Sequence, residues 1–254
     1  KHLPHRPRRM RLQRRNKINL VVGLLNDIIC IMRNHKFIIG EYYHIYNRGV
    51  DKRKTFLDQY DLNRFLKCLV VFNTKEPIGS IYELSFQKQI LGSPTTKSSK
   101  LVSIIAYCVN PNHFHLLLTP LTEKGIEKFM QKIGGYTRYF NEKHKRNGTL
   151  FQGKFKSKHI PDNNYLLRLS AYINMNNRDS FGSPTTKLSK SSLEEYSQNI
   201  KGICNTKIIS EQFKNPKEYL EFAIEAWKDS RERKEVLEMD QLGNSTTKLK
   251  SLTW

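Results

Sequence analysis

The alternation of apolar and polar residues predicts a chain of short strands and amphipathic helices. Side chains on a strand alternate between two faces, whereas a helix returns to the same face every three or four residues. Strand-like runs occupy Tyr42–Asn47, Leu101–Val109 and His113–Thr119. Helical spacing is found in Asp58–Phe72, in Glu123–Lys143, from Asp162 or Asn163 to about Asn176, and between Glu194 and Lys234.

Two histidines stand at the start of the third predicted strand. The preceding Asn110-Pro111-Asn112 predicts a tight turn, so the second and third strands should form a hairpin. His113 and His115 are two residues apart, and this spacing places both imidazoles on one face of the strand. Two neighbouring neutral imidazoles supply part of a divalent-metal site. Surface histidines also reach this spacing by chance, so the pair indicates a metal site only if the chain supplies a third ligand, a nucleophile and a substrate.

The helix that ends near Asn176 offers both a ligand and a nucleophile. Tyr172 and Asn176 are four residues apart and therefore project from the same helical face. The amide oxygen of Asn176 could complete a metal site with His113 and His115. A phenol with a pKa of about 10 is a weak nucleophile without help from a cation or a base. The alternative for Tyr172 is a buried aromatic side chain that is hydrogen-bonded to a backbone group.

The charge of the chain points to a polyanionic partner. The 254 residues include 44 Lys and Arg against 23 Asp and Glu, which gives a net charge of +21. Such an excess indicates nucleic acid, although a nonspecific basic surface or a ribosome-associated protein would show it too. The four cysteines contain no C-x-x-C pair, which favours reduced thiols in a cytosolic compartment over a disulfide framework or a zinc knuckle.

Residues 143–158 interleave basic and aromatic side chains around glycines. Lys154 and Lys156 could bind phosphates while Phe151 and Phe155 stack on bases, a combination that is typical of single-strand binding. The alternative is a solvated basic loop with two phenylalanines that belong to the core.

The composition divides the chain into four regions. A basic and apolar extension, residues 1–35, is predicted to be disordered or not native, and its apolar part is too short and too polar to span a membrane. Residues 36–180 form the main domain, with a loop-rich insertion at 74–100. A helical extension at 181–238 and a disordered tail at 239–254 are predicted to follow.

Five motifs in order resemble the REP-associated tyrosine transposases, which are IS200-like single-strand DNA transposases with an HUH motif. The resemblance covers about Lys36 to Trp227. Two departures are Asn110, where the family has Met, and Asn177, where it has Pro. The matching motifs are Tyr43-His-Ile-Tyr-Asn-Arg-Gly49, Ala106-Tyr-Cys-Val-Asn-Pro-Asn-His-Phe-His-Leu-Leu117, Gly135-Tyr-Thr-Arg-Tyr-Phe-Asn141, Gly148-Thr-Leu-Phe-Gln-Gly-Lys-Phe-Lys156 and Tyr172-Ile-Asn-Met-Asn-Asn177.

The resemblance implies an α+β fold, with a ferredoxin-like βαββαβ core whose helices lie on one face of an antiparallel sheet, plus C-terminal helices. It implies an endonuclease that cleaves and rejoins single-stranded DNA beside hairpins through a 5′-phosphotyrosine. Tyr172 would be the nucleophile, preferred over Tyr136 and Tyr139, and His113, His115 and Asn176 would bind Mg²⁺ or Mn²⁺. The residues expected to contact DNA are Asn47, Arg48, Arg138, Phe151, Lys154, Phe155 and Lys156.

The resemblance also implies the setting in which the protein acts. The expected location is the cytoplasm of a prokaryote, in association with the nucleoid and not with a membrane. The expected form is a monomer or a homodimer. The alternative function is a module of the same fold that binds hairpin DNA or RNA without cutting it.

Overall fold

The computed structural model describes residues 36–79, 81, 99–179 and 183–249, and the side chains as far as residue 232. The predicted extension at 1–35 lies outside these residues, as does most of the predicted insertion at 74–100. The strands are β1 (Tyr42–Arg48), β2 (Val102–Asn110), β3 (His113–Pro120), β4 (Lys156–Ile160) and β5 (Lys190–Ser191). The helices are α1 (Gln59–Val71), α2 (Gly125–Ile133), α3 (Gly135–Lys143), α4 (Asn163–Met175), α5 (Leu193–Ser197), α6 (Lys207–Ser210) and α7 (Pro216–Leu249).

The strands form one antiparallel sheet in the order β4-β1-β3-β2-β5. The order of elements from β1 to β4 is βαββαβ, with α2 and α3 together occupying the second helical position. The α+β fold with its antiparallel core and C-terminal helices, predicted from the sequence, is confirmed.

Helices cover both faces of the sheet, because alternate residues of its strands are buried on opposite sides. On the first face, Ile45, Phe114 and Leu116 belong to a core that also includes residues of α1, α2 and α3. On the second face, Cys108 and Leu117 belong to a core formed with α4, α5 and α7. The C-terminal helices therefore complete the burial of a sheet that the βαββαβ unit covers on one face only.

Local signals explain where two of the helices begin. The side chain of Asp58 accepts a hydrogen bond from the backbone N–H of Asp61 and caps α1. Asp162 caps α4 in the same way, through the N–H of Tyr165 at 2.8 Å. The helix predicted to start at Asp162 or Asn163 thus has Asp162 as its cap and Asn163 as its first residue.

Two predicted boundaries differ from the structure. The single helix predicted at Glu123–Lys143 is divided into α2 and α3 at Gly134, because the two adjacent glycines Gly134 and Gly135 weaken helical continuity. The disordered tail predicted from residue 239 begins inside α7, which continues to Leu249. No proline follows Pro216, so no residue in this stretch lacks the N–H that a helix needs. Within the described ranges, no helix combines the length and apolar composition that a membrane span requires.

A buried polar network fixes α4 to the C-terminal elements. The fully buried side chain of Asn174 donates to Tyr219 Oη of α7 at 2.7 Å and accepts from Ser192 Oγ at 2.5 Å. The backbone carbonyl of Asn174 accepts from Ser191 Oγ of β5 at 2.9 Å. Because buried polar groups are costly when unpaired, this network sets the position of α4 over the sheet.

We expect Asn174→Ala to lower the free energy of unfolding by about 2 kcal/mol, because it removes partners from Tyr219 and Ser192 inside the core. Urea denaturation measures the change. The control is Asn164→Ala at the exposed start of the same helix, which should change the free energy by less than about 0.5 kcal/mol. Equal effects of the two substitutions would show that the network does not hold α4.

Candidate functional site

The β2–β3 turn is anchored by the segment that follows β1. Asn110 and His113 are cross-strand partners, so the turn consists of Pro111 and Asn112. The carbonyl of Asn112 accepts from the N–H of Gly49 at 2.8 Å, and that of Pro111 accepts from Thr55 at 2.7 Å. A side chain at position 49 would meet the carbonyl of Arg53 at 2.2 Å, so glycine is required there. This anchoring fixes the direction of the first residue of β3, His113.

The hydrogen bonds of His113 define its tautomer. Its Nδ1 lies 2.6 Å from Asn112 Oδ1, an atom that can only accept, so Nδ1 carries the proton. Its Nε2 consequently presents a lone pair, and it lies 3.2 Å from Asn176 Oδ1. A lone pair on one ring nitrogen, with the other nitrogen held by an oxygen, is the arrangement of metal-binding histidines.

His115 is part of a row of rings on the second face of the sheet. Its Nδ1 lies 2.9 Å from Nε2 of His44, which is nine-tenths buried on β1. The ring of Tyr46, its cross-strand partner, lies 5.9 Å away between centroids. His113 is on the other side, with a ring distance of 5.2 Å. The contact with His44 occupies Nδ1 of His115 and leaves its Nε2 for another ligand.

Helix α4 brings the predicted nucleophile to these histidines. The ring of Tyr172 stands edge-on to that of His115, with centroids 5.9 Å apart. Asn176 follows one turn later, as the residue that ends α4, and its Oδ1 faces His113. Tyr172, Asn176, His113 and His115 therefore line one cleft, although about sixty residues separate the two pairs in the sequence.

Burial keeps the ionisable groups of this cluster uncharged near neutral pH. Burial and the positive charge of Lys158 lower the pKa of His44 to about 4. Burial, followed by the neighbouring His44 and His113, holds the pKa of His115 well below its ordinary value. Burial also lowers the pKa of His113, against the effect of the Asn176 side-chain oxygen, which would accept a hydrogen bond from the protonated ring. The pKa of Tyr172 is raised by burial, while the hydrogen bond with Asn176 acts in the opposite direction.

Two residues at the cluster were not predicted from the sequence. Asn110 Nδ2 lies 2.8 Å from Asn176 Oδ1 and 3.1 Å from His113 Nε2. His44 holds Nδ1 of His115, as described above. The alternation of β1 places His44 and Tyr46 on one face, but only the pairing of β1 with β3 shows that this face is the one that carries the histidines.

Basic side chains border the cleft. Arg48, opposite His113 on β1, is exposed, and so is Lys156 at the start of β4. Both line the cleft, which has a volume of about 520 Å³ and also includes Gln152. A phosphate that approached the histidines and Tyr172 would therefore meet two cations.

The remaining predicted DNA contacts lie on the first face of the sheet. Asn47 donates to the carbonyl of Gly153 at 3.2 Å and, at the end of β1, also lines the cleft. Phe151 stands edge-on to Phe114 at 5.5 Å, and Phe155 stacks on Phe37 at 6.5 Å. Both phenylalanines are half-buried against the first core and line a second pocket, of about 490 Å³, together with Asn47 and Lys154. Phe151 and Phe155 thus contribute to the core and also face an open space.

Arg138 and the two rival tyrosines are also on this side. Arg138 is exposed and pairs with Glu142 at 2.7 Å. Tyr136 is buried and donates to the carbonyl of Thr55 at 2.8 Å, and burial raises its pKa. Tyr139 is half-buried, with the Arg64 guanidinium 4.9 Å from its ring. The structure brings none of these three residues to the cleft that contains His113 and Tyr172.

Asp58, Asp61 and His144 form another group, among the described residues, whose ligand atoms lie within 4.8 Å of one another. Lys143 Nζ already bridges Asp58 and Asp61 at 2.7 and 2.8 Å. The second oxygen of Asp61 accepts from the N–H of Leu57 and contacts His144 Nε2, both at 2.9 Å. These bonds satisfy the buried carboxylate and join α1 to the end of α3.

Residues 83–176 match the profile of a protein family described as "Transposase IS200 like". The matched segment spans 94 of the 254 residues and contains all four of His113, His115, Tyr172 and Asn176. Over this segment the match agrees with the family resemblance of the sequence motifs.

A solved structure of a REP-associated tyrosine transposase bound to a REP hairpin is similar to the chain at 16% identity. The similarity covers 57% of this chain and 71% of that one, with a TM-score of 0.34. No curated protein matches the sequence.

We expect acid to destabilise the fold partly through His44. Its pKa is lower in the folded protein than in the unfolded chain, so unfolding takes up a proton below about pH 6.5 and stability falls as the pH decreases toward 4. Between pH 7 and pH 5 this one residue should account for about 2 kcal/mol. Urea denaturation at both pH values should show a smaller loss in His44→Gln, whose amide can still bond His115. If the unmutated protein and His44→Gln lost the same free energy of unfolding between pH 7 and pH 5, the pH dependence would not come from His44.

Proposed function

We propose that this protein is an endonuclease and strand transferase that acts on single-stranded DNA through Tyr172. The observation that carries the proposal is the convergence of Tyr172, Asn176, His113 and His115 in one cleft bordered by Arg48 and Lys156. The match of residues 83–176 to the IS200-like transposase family supports the same reaction class. Cleavage beside hairpins is carried over from the resemblance in the sequence motifs.

In the proposed reaction the phenol oxygen of Tyr172 attacks a phosphodiester in line with the departing 3′ oxygen. A Tyr–O–P bond forms and the P–O3′ bond breaks, which leaves a 5′-phosphotyrosine and a 3′-hydroxyl. The phenol proton passes to solvent, and the leaving 3′ oxygen takes up a proton. A 3′-hydroxyl from another strand reverses these steps and rejoins the DNA without an external energy source.

The residues at the cleft are suited to a hard divalent cation. His113 Nε2 and Asn176 Oδ1 both present lone pairs and are 3.2 Å apart, close to the spacing of about 3 Å between adjacent ligands of an octahedral Mg²⁺. We propose that His113, His115 and Asn176 hold Mg²⁺ or Mn²⁺. When bound, such a cation supplies polarisation of the scissile phosphate and offsets charge in the transition state.

Each neighbouring side chain then has a role that follows from its contacts. His44 fixes the ring orientation of His115 through the 2.9 Å contact, and Asn112 does the same for His113. Arg48 and Lys156 attract the phosphates that flank the cleaved bond. Burial favours the protonated form of Tyr172, so the phenol needs the nearby positive charge to become a nucleophile.

The basic and aromatic segment at residues 143–158 provides a second contact with the DNA. The pocket beside Phe151 and Phe155 lies on the opposite face of the sheet from Tyr172, so we propose that it holds an unpaired base away from the cleaved bond. Aromatic stacking with adjacent cations binds single strands without demanding one sequence.

The second candidate is a protein that grips hairpin DNA or RNA without cutting it. The basic surface and the loop pocket would serve this function equally well. A pure binder, however, gains nothing from a phenol beside two imidazoles with lone pairs directed into the same cleft. That observation makes the enzyme the first choice.

A covalent adduct is the decisive product of the proposed reaction. We expect the protein, incubated with labelled single-stranded hairpin DNA and Mn²⁺, to form a DNA–protein species that survives denaturing electrophoresis. Tyr172→Phe should form none, because it keeps the ring packing but lacks the nucleophilic oxygen. A chelator should suppress the adduct as well.

The matched control is Tyr165→Phe, which changes a tyrosine on the same helix and should leave the adduct yield unchanged. Tyr136→Phe and Tyr139→Phe test the two rivals. An adduct that persists in Tyr172→Phe would assign the nucleophile elsewhere. If the unmutated protein gave no adduct with any of a panel of hairpins, the non-cutting function would be preferred.

Binding at different salt concentrations tests the path of the DNA. We expect Arg48→Ala and Lys156→Ala each to weaken binding of a single-stranded oligonucleotide. Each should reduce the slope of log K against log salt by about 0.7, the value for one lost phosphate contact. Fluorescence anisotropy measures both quantities. Arg138→Ala serves as the comparison on the other face, where Glu142 already pairs with the guanidinium. If Arg138→Ala weakened DNA binding as much as the other two substitutions, the DNA would not follow the proposed path along Arg48 and Lys156.

A further inference from the structure

We infer that the side-chain oxygen of Asn110 is an additional ligand of the proposed metal site. In the metal-free protein the same amide is turned the other way, so that its nitrogen faces His113 and Asn176 and hydrogen-bonds to both. This inference rests on the proposed function. It starts from three atoms that form a nearly regular triangle. Asn110 Nδ2 is 2.8 Å from Asn176 Oδ1 and 3.1 Å from His113 Nε2, and the last two atoms are 3.2 Å apart.

The size of this triangle matches one face of an octahedral site. Ligand atoms about 2.1 Å from a central Mg²⁺ are separated by about 3 Å along each edge of the octahedron. Two corners are already lone-pair donors, because His113 Nε2 is unprotonated and Asn176 contributes an amide oxygen. The third corner is the end of the Asn110 side chain.

In the metal-free protein this third corner carries hydrogens. Without a proton between them, the lone pairs of His113 and Asn176 would repel each other at 3.2 Å. The Asn110 amide group donates to both, and also lies 3.4 Å from the carbonyl oxygen of Asn176 and 3.6 Å from Cys108 Sγ. Asn110 therefore offsets, in the absence of metal, the electrostatic cost of holding two ligands close together.

A rotation of the terminal amide converts the bridge into a ligand. Such a rotation exchanges the oxygen and the nitrogen of Asn110, which are similar in size, and leaves the rest of the side chain in place. Asn110 is 5% exposed and is the cross-strand partner of His113, so the backbone fixes its direction. With the oxygen at the third corner, Asn110, Asn176 and His113 present one oxygen-rich face, which favours Mg²⁺ and Mn²⁺ over softer metals.

The opposite role would be inhibitory: the Asn110 amide would compete with the metal for the lone pairs of His113 and Asn176. The two roles differ in the sign of a measurable effect. Asn110→Leu keeps the branched shape of the side chain but can neither donate nor coordinate. Loss of a ligand weakens metal binding, whereas loss of a competing hydrogen-bond donor strengthens it.

The test is a Mn²⁺ titration of the full chain, in which the electron paramagnetic resonance signal reports free Mn²⁺ and requires no DNA or catalysis. Asn110→Leu should bind Mn²⁺ at least about 10-fold more weakly than the unmutated protein, a loss on the scale of removed site contacts. Asn110→Asp, which has the same shape and adds a charged oxygen ligand, should bind more tightly. Circular dichroism verifies that each variant is folded.

Two further variants locate the binding and control for the chemistry of the change. His113→Ala should remove the binding that Asn110→Leu weakens, which separates this site from the group at Asp58, Asp61 and His144. Asn163→Leu, on the exposed start of α4, should leave Mn²⁺ affinity unchanged. Equal or tighter binding by Asn110→Leu would overturn the ligand role alone, because the site itself would still bind metal. Absence of Mn²⁺ binding by the unmutated protein would overturn both this inference and the metal site under the proposed function.

Discussion

The packing of α4 against the second face of the sheet is the interaction on which the candidate site depends. His113 and His115 are fixed by the hairpin, but Tyr172 and Asn176 reach them only because α4 lies across β3. Apolar residues of α4, such as Leu169 and Ile173, bury against this face, and Asn174 ties the helix to β5, α5 and α7. Helices α5 and α7 thus stabilise a site to which they contribute no ligand or nucleophile.

The charge arrangement of the cluster follows from its burial. Three imidazoles lie in a row, and desolvation lowers the pKa of each, so the interior of the site is neutral near pH 7. No Asp or Glu lines the described cleft, and the positive charge there comes from Arg48 and Lys156 at its border. A neutral set of nitrogen and amide oxygen ligands binds a divalent cation less tightly than a set that includes carboxylates. Phosphate oxygens from the substrate would supply the missing negative charge, as is common for Mg²⁺ sites.

Much of this arrangement could be predicted from local sequence patterns. The i, i+2 spacing of His113 and His115 and the i, i+4 spacing of Tyr172 and Asn176 each determine a shared face within one element. The Asp162 cap and the Asn110–His113 turn are likewise local signals. These short-range rules are reliable because they depend only on the backbone geometry of a strand, a helix or a turn.

The contacts that local patterns did not predict all depend on long-range pairing. His44 becomes a partner of His115 only through the register between β1 and β3, which no single strand encodes. Asn110 shows a departure from the family motif in the sequence, but its closeness to Asn176 depends on the docking of α4. The same limit applies to Phe151 and Phe155, because their sequence context is compatible with both core packing and base stacking. In the structure both side chains pack against the core and also line a pocket.

The ends of β1 and β4 impose one more constraint on any bound DNA. Phe155 faces the pocket beside Phe151 on the first face, its neighbour Lys156 and Arg48 face the cleft on the second, and Asn47 at the end of β1 lines both. Because adjacent strand residues point to opposite faces, the two sites are separated by the thickness of the sheet and meet only at this edge. A strand that places a base beside Phe155 and a phosphate beside Tyr172 must therefore pass around the ends of β1 and β4. Double-stranded DNA is too stiff for so tight a turn, whereas a flexible single strand can make it. For the proposed DNA substrate, this path around the sheet would require an unpaired strand at the cleft.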